Sequence, residues 1–114
     1  MNNVSNKEME RCAEQCGACA KACADAVKYC LERGGEVADS SLVVKLFDCA
    51  QQCRACRDAC APGGSKSAAS REACARACDA CSLACEKTGD EKLAACAKAL
   101  RQCAQLCRQE TVSA

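Results

Sequence analysis

Histidine and tryptophan are absent from this 114-residue chain, and tyrosine, phenylalanine and proline occur once each. Without histidine the chain lacks the usual neutral-pH acid–base group, and no serine or lysine sits in an evident nucleophile–base arrangement. That argues against an enzyme. Two aromatics provide no stacking platform, and sixteen basic against fifteen acidic residues leave a net charge of +1, so nucleic acid is not an expected partner. No apolar run approaches the length of a membrane span. The start, MNNVSNKEMERC, lacks the apolar segment of a secretory signal. A cytoplasmic protein with reduced thiols is the expectation.

Large core-filling side chains are scarce as well, yet sixteen cysteines are present. The interior must therefore be built mainly from cysteine and alanine. The stretches CAEQCGACAKAC (12–23), CAQQCRACRDAC (49–60) and CARACDACSLAC (74–85) repeat one spacing, C-x3-C-x2-C-x3-C. A helix advances about 100° per residue, so this spacing confines four cysteines to one narrow face.

Breaks are few: Gly34-Gly35, Pro62-Gly63-Gly64 and Thr88-Gly89-Asp90. Between them lie strong helix formers without an internal proline. Ser5 with Glu8 fits a capping box. Ser40 or Ser41, Ser67 or Ser70, and Asp90 are N-cap candidates, and Gly34 and Gly89 fit C-terminal caps. These signals predict one all-α domain over 1–114, with helices near 6–33, 41–60, 68–87 and 91–110. Short connections make it an antiparallel up-down-up-down four-helix bundle with a cysteine-lined core.

Alignment of the antiparallel stripes predicts four layers. They are Cys12/Cys60/Cys74/Cys107, Cys16/Cys56/Cys78/Cys103, Cys19/Cys53/Cys81/Leu100 and Cys23/Cys49/Cys85/Cys96. Cys30 falls on the same stripe beyond them, amid an expected hydrophobic plug of Val27, Leu42, Leu46 and Leu93 with Tyr29, Val43 and Phe47 nearby. The other end has only Met9 above Cys12 and is the expected mouth. Small flanking residues (Ala13, Gly17, Ala20, Ala24, Ala55, Ala59, Ala77, Ala84) would allow close helix approach. Arg54, Arg57, Arg71 and Arg76 read as a solvated face.

A packing role alone explains so many aligned thiols poorly, since alanine or valine would pack without oxidation chemistry. Disulfides within a helix meet the wrong geometry. The C-x2-C pairs suit zinc by count, but stacked four-thiolate Zn²⁺ sites would accumulate negative charge, with no inward Lys or Arg expected to offset it. The loop and proline of a ferredoxin iron–sulfur run are missing. Cu(I) is the better match: thiolates select it, and one Cu⁺ per thiolate is neutral. Oxygen ligands are off the stripe, where Glu14, Asp25, Asp58 and Asp79 lie. A metallothionein-like Zn(II)/Cd(II) buffer and a thiol redox sensor are the alternatives.

Three such helices in a histidine-free, cysteine-rich, four-helix chain resemble the bacterial copper storage proteins, over essentially the whole length. The resemblance implies a bundle that stores or buffers multiple Cu(I) ions for copper homeostasis, at about one per cysteine. It implies a homotetramer, and family members are both exported and cytosolic. The implied ligands are Cys12, Cys16, Cys19, Cys23, Cys30, Cys49, Cys53, Cys56, Cys60, Cys74, Cys78, Cys81, Cys85, Cys96, Cys103 and Cys107. Family members often carry His or several Met at the open end, where this chain has Met9 alone. Donor and acceptor proteins are not specified by the sequence.

Overall fold

The structure, a computed structural model, describes residues 6–61 and 68–112. Four α-helices carry the chain: α1 (Asn6–Arg33), α2 (Ser40–Cys60), α3 (Ala68–Glu86) and α4 (Glu91–Val112). A 3-10 turn at Gly35–Ala38 joins α1 to α2. Ser5, Ser67 and the Pro62-Gly63-Gly64 break, named above as cap and turn signals, lie outside the described residues.

The ends of the helices follow elementary capping chemistry. α1 stops at Gly34, whose φ of 72° is in the left-handed region, and its N–H reaches the Cys30 carbonyl at 3.0 Å. Gly89, at φ 73°, does the same service after α3. Asp90 caps α4 as expected, its Oδ1 accepting from the Lys92 and Leu93 N–H groups at 2.9 and 3.1 Å. The cap of α2 differs from expectation. Asp39, not Ser40 or Ser41, accepts from the Ser41 and Leu42 N–H groups, so the helix begins at Ser40. An ionised carboxylate is the stronger acceptor at a helix N-terminus. Ser70 lies within α3 rather than before it.

Each helix packs on two neighbours and not on the one diagonal to it, α1 chiefly on α2 and α3 chiefly on α4. Cysteine neighbours establish the directions. Cys12 meets Cys60 while Cys23 meets Cys49, which makes α1 and α2 antiparallel. Cys74 neighbours Cys107 while Cys85 neighbours Cys96, which does the same for α3 and α4. The bundle is thus an antiparallel ring of four helices with its stripes turned inward.

The hydrophobic plug is built from Leu42, Leu46 and Leu93, with Val27, Tyr29 and Val43 packed against it. Val37, delivered by the 3-10 turn, is a buried member that helical periodicity could not reveal. Phe47 is not part of the plug: it is 54% exposed, because it stands one residue, about 100°, off the Leu42–Leu46–Cys49 stripe. Among the small flanks, Ala20 and Ala59 are buried, whereas Ala24 and Ala55 face solvent.

Candidate metal centre

All sixteen cysteines are free and buried. Along the middle of the bundle sulfurs approach one another at 3.7 to 4.0 Å, as in Cys12–Cys60 at 3.7 Å, Cys53–Cys78 at 3.7 Å, Cys16–Cys107 at 3.8 Å and Cys16–Cys103 at 3.9 Å. A disulfide needs about 2.05 Å, so these are separate thiols. Two sulfurs bound to one metal at about 2.3 Å stand at most about 4.6 Å apart. The observed separations fall inside that limit, so neighbouring thiols can share an ion with little movement.

Three sets of four sulfurs lie mutually within 4.8 Å: Cys12/Cys16/Cys56/Cys107, Cys16/Cys74/Cys103/Cys107 and Cys19/Cys53/Cys78/Cys103. Cys16, Cys103 and Cys107 each belong to two sets. The sites are therefore overlapping stations along one continuous column rather than isolated cages. Cys49 extends the column from Cys78 at 3.9 Å. Cys23 links Cys19, Cys49, Cys81 and Cys96, and Cys85 adjoins Cys81 and Cys96. Cys30 is buried but has no cysteine among its hydrogen-bond partners. Burial raises its thiol pKa first, and the nearby Asp90 charge adds to the effect.

The register of α3 corrects the expected layers. Cys74 neighbours Cys103, Cys107, Cys16 and Cys53, not Cys12 and Cys60. Cys78 neighbours Cys103, as expected, but its other neighbours are Cys19, Cys49 and Cys53, not Cys16 and Cys56. In the third set Cys78 and Cys103 stand where Cys81 and Leu100 were expected, although Leu100 is fully buried. Flat layers assume that four helices present side chains at equal heights. Packed helices instead interdigitate, each knob settling between two neighbours on the facing helix.

The displaced α3 brings Arg71 onto the column's end. Arg71 is 1% exposed, and its guanidinium donates to the Met9 Sδ at 3.4 Å. It is therefore no part of a solvated face, although Arg57 and Arg76 are exposed and Arg54 partly so. The expectation of no inward cation is likewise overturned. The signal was present in the sequence: residue 71 precedes Cys74 by three, which places it on the same stripe. Arg71 and Met9, which is 3% exposed, lie buried together at the end expected to be the mouth.

The thiol network is electrically uneven. Cys103 and Cys56 are pushed far below the ordinary thiol value because four surrounding thiols, Cys107 first in both cases, donate to the thiolate. Cys12 is held to about 5 chiefly by Cys107, Cys23 to about 6 chiefly by Cys19, and Cys96 to about 4 by Cys23 and then Cys85. Their donors are correspondingly raised: Cys16 by Cys103 and Cys107, and Cys78 by Cys103 and Cys19. One ionised sulfur among protonated neighbours is favoured, and adjacent thiolates are not, until a cation replaces the protons.

Fold and column together define a four-helix, thiolate-lined metal-storage protein. A family model described as "Copper storage protein" matches residues 5–112. The chain belongs to that family. It is similar to a cytosolic copper storage protein from Streptomyces lividans whose structure holds five coppers, at 32% identity over 94% of each chain and a TM-score of 0.84. The same protein loaded with 10 copper equivalents matches at 30% identity, over 98% of this chain and 89% of that one, with a TM-score of 0.86. The Nmul_A1745 protein of Nitrosospira multiformis matches at 27% identity over 95% of this chain and 98% of its own, with a TM-score of 0.86. No curated protein sequence matches.

Proposed function

We propose that this chain stores Cu(I) in the cytosol on the thiolates of Cys12, Cys16, Cys19, Cys23, Cys49, Cys53, Cys56, Cys60, Cys74, Cys78, Cys81, Cys85, Cys96, Cys103 and Cys107. Cys30 is an outlying sixteenth. The observation that carries the reading is the sharing of Cys16, Cys103 and Cys107 between adjacent four-sulfur sets. Shared sulfurs suit an ion that is bridged from site to site, and Cu(I) is the soft cation that thiolates select.

Charge separates Cu(I) from Zn(II). Three Zn²⁺ in the three sets would set six positive charges against nine thiolates and leave three negative charges buried. Arg71 can offset one of them. Cu⁺ at one per thiolate leaves none, so filling can continue along the column without an accumulating penalty. The cytosolic setting is supported by the Streptomyces lividans relative, described as cytosolic. A homotetramer is the assembly the family resemblance implies, and no catalytic role is assigned.

The test is an anaerobic titration of reduced protein with Cu(I) against a competing chelator. Storage gives saturation on the order of one ion per thiolate. Saturation near four Zn(II), with weak Cu(I) uptake, would replace storage by a zinc or cadmium buffer. Cross-linking by mild oxidation without tight metal uptake would favour the redox sensor. Cys30→Ser should leave the copper capacity unchanged, because Cys30 shares no hydrogen bond with a thiol of the column and acts on Cys96 only through its charge.

A further inference from the structure

We propose that Cu(I) enters and leaves this column through its side wall, at Cys96, between α1 and α4. The inference rests on the storage reading above and adds the route. Cys96 is 7% exposed, whereas none of the other fifteen cysteines exceeds 2%. It lines a surface groove of about 330 Å³ to which both helices contribute alanines: Ala22 and Ala26 from α1, Ala95 and Ala99 from α4. Asp25, Tyr29, Lys92 and Leu93 complete its lining. The α1–α4 seam is also the least extensive of the four helix contacts in the ring. Small side chains on both helices thus leave a thiol at the floor of a groove wide enough for a small ligand.

Among the described residues the axial end offers no equivalent approach. Cys12 and Cys107, at 0% and 1% exposure, lie beneath Met9 and Arg71, and Cys60 is at 2%. An incoming Cu⁺ would also meet the Arg71 guanidinium there. At the groove it meets a sulfur directly, between Lys92 and an Asp25 carboxylate that pairs with Lys21 at 2.9 Å. From Cys96 the next sulfurs inward are Cys23 and Cys85, and Cys23 adjoins Cys19, Cys49 and Cys81. The route therefore connects to the column.

The cargo arrives as Cu(I) carried by a small thiol. A Cys96 Sγ–Cu bond forms as one carrier sulfur–Cu bond breaks. The carrier sulfur departs as a thiolate, its charge balanced by the Cys96 thiolate that replaces it on the metal, and copper remains Cu(I) throughout. Transfer to Cys23 or Cys85 repeats the exchange with the second thiolate. Release to an acceptor thiol is the reverse.

Two measurements test the route. In the first, the rate of uptake from a Cu(I)–glutathione complex is followed for Ala99→Leu, which fills the groove without removing a ligand, and for Arg71→Met at the axial end. Lateral entry predicts uptake about tenfold slower in Ala99→Leu, equivalent to about 1.4 kcal/mol on the barrier, with full final capacity. It predicts no slowing in Arg71→Met. Equal rates for Ala99→Leu and the unaltered protein, or faster uptake in Arg71→Met, would overturn the proposal while leaving storage intact. In the second, apo protein receives a substoichiometric maleimide, then trypsin. The peptide Leu93–Lys98 contains Cys96 alone, so its adduct is unambiguous. First labelling there supports the groove, and first labelling at Cys12, Cys60 or Cys107 contradicts it.

Discussion

The two ends of the bundle solve the same burial problem with different materials. Around Leu42, Leu46 and Leu93 the core is ordinary hydrocarbon, backed by the Asp90 cap, the Tyr29–Asp90 hydrogen bond and an Arg33–Asp90 ion pair at 3.5 Å. From Cys12 to Cys96 the core is sulfur and alanine with Leu100 among them, and Arg71 and Met9 lie buried together at its far end. Hydrocarbon holds four helices together without a ligand. Sulfur packs less apolar bulk per residue but keeps coordination positions available. The difference teaches that stability and capacity have been placed in separate lengths of the same four helices.

If that division holds, the largest effect on the metal-free protein comes from the plug. Leu46→Ala or Leu93→Ala empties a fully buried site and should cost about 2–5 kcal/mol, read as a lowered denaturant midpoint under anaerobic reducing conditions. Removing a sulfur from the column, as in Cys103→Ala, should cost only about 1 kcal/mol, comparable to one methylene-sized group. Equal losses at the two ends would end the distinction. Next in size is Arg71→Met, which exchanges a buried cation for an apolar chain of similar reach. Whenever thiolates outnumber Cu⁺ the column is anionic, and the guanidinium offsets part of that charge at low local dielectric. The variant should hold its copper about tenfold more weakly at low loading, about 1.4 kcal/mol, in competition with a Cu(I) chelator. At full loading, where charge is balanced, the difference should vanish.

Much of this was legible because one spacing repeats. C-x3-C-x2-C-x3-C states helix and face together, so the four-helix class and the inward direction of the cysteines follow from the sequence. Relative heights do not follow. A stripe is unchanged by sliding its helix one turn, and only packing against both neighbours places Cys74 beside Cys103, Cys16 and Cys53 as well as the expected Cys107, instead of Cys12 and Cys60. Arg71 departs from expectation for a different reason: its charge points to solvent, whereas its position on the stripe makes burial of the long stem geometrically natural. Phe47 is the converse, an aromatic whose hydrophobicity suggested the plug although its angle on α2 sends it outward. The easier approach to Cys96 depends on the groove between α1 and α4, a property of two helices and invisible in either segment alone.

The smallest expected effect belongs to the plug's polar clasp and concerns pH. Asp90 has its carboxyl held below the ordinary carboxylate range, first by the Tyr29 hydroxyl donating to it and further by the Leu93 and Lys92 N–H groups and the Arg33 charge. A depressed folded value means the carboxylate's contribution is complete above the unfolded carboxyl value, and is lost as pH falls through the folded one. Tyr29 has the opposite shift: donating to Asp90 raises its hydroxyl, so its contribution is complete below the unfolded tyrosine value and fades as alkaline pH passes through the folded one. The clasp is therefore whole at neutral pH and weakens on both sides. Asp90→Asn keeps a side-chain oxygen that can cap α4 and accept from Tyr29 but removes the charge. Its denaturant midpoint should fall modestly and by a constant amount around neutrality, and the gap to the unaltered protein should close below the ordinary carboxylate range. A gap that persists unchanged into acid would mean that Asp90 acts as a neutral cap alone, and that the plug end owes its hold to Leu42, Leu46 and Leu93 without electrostatic help.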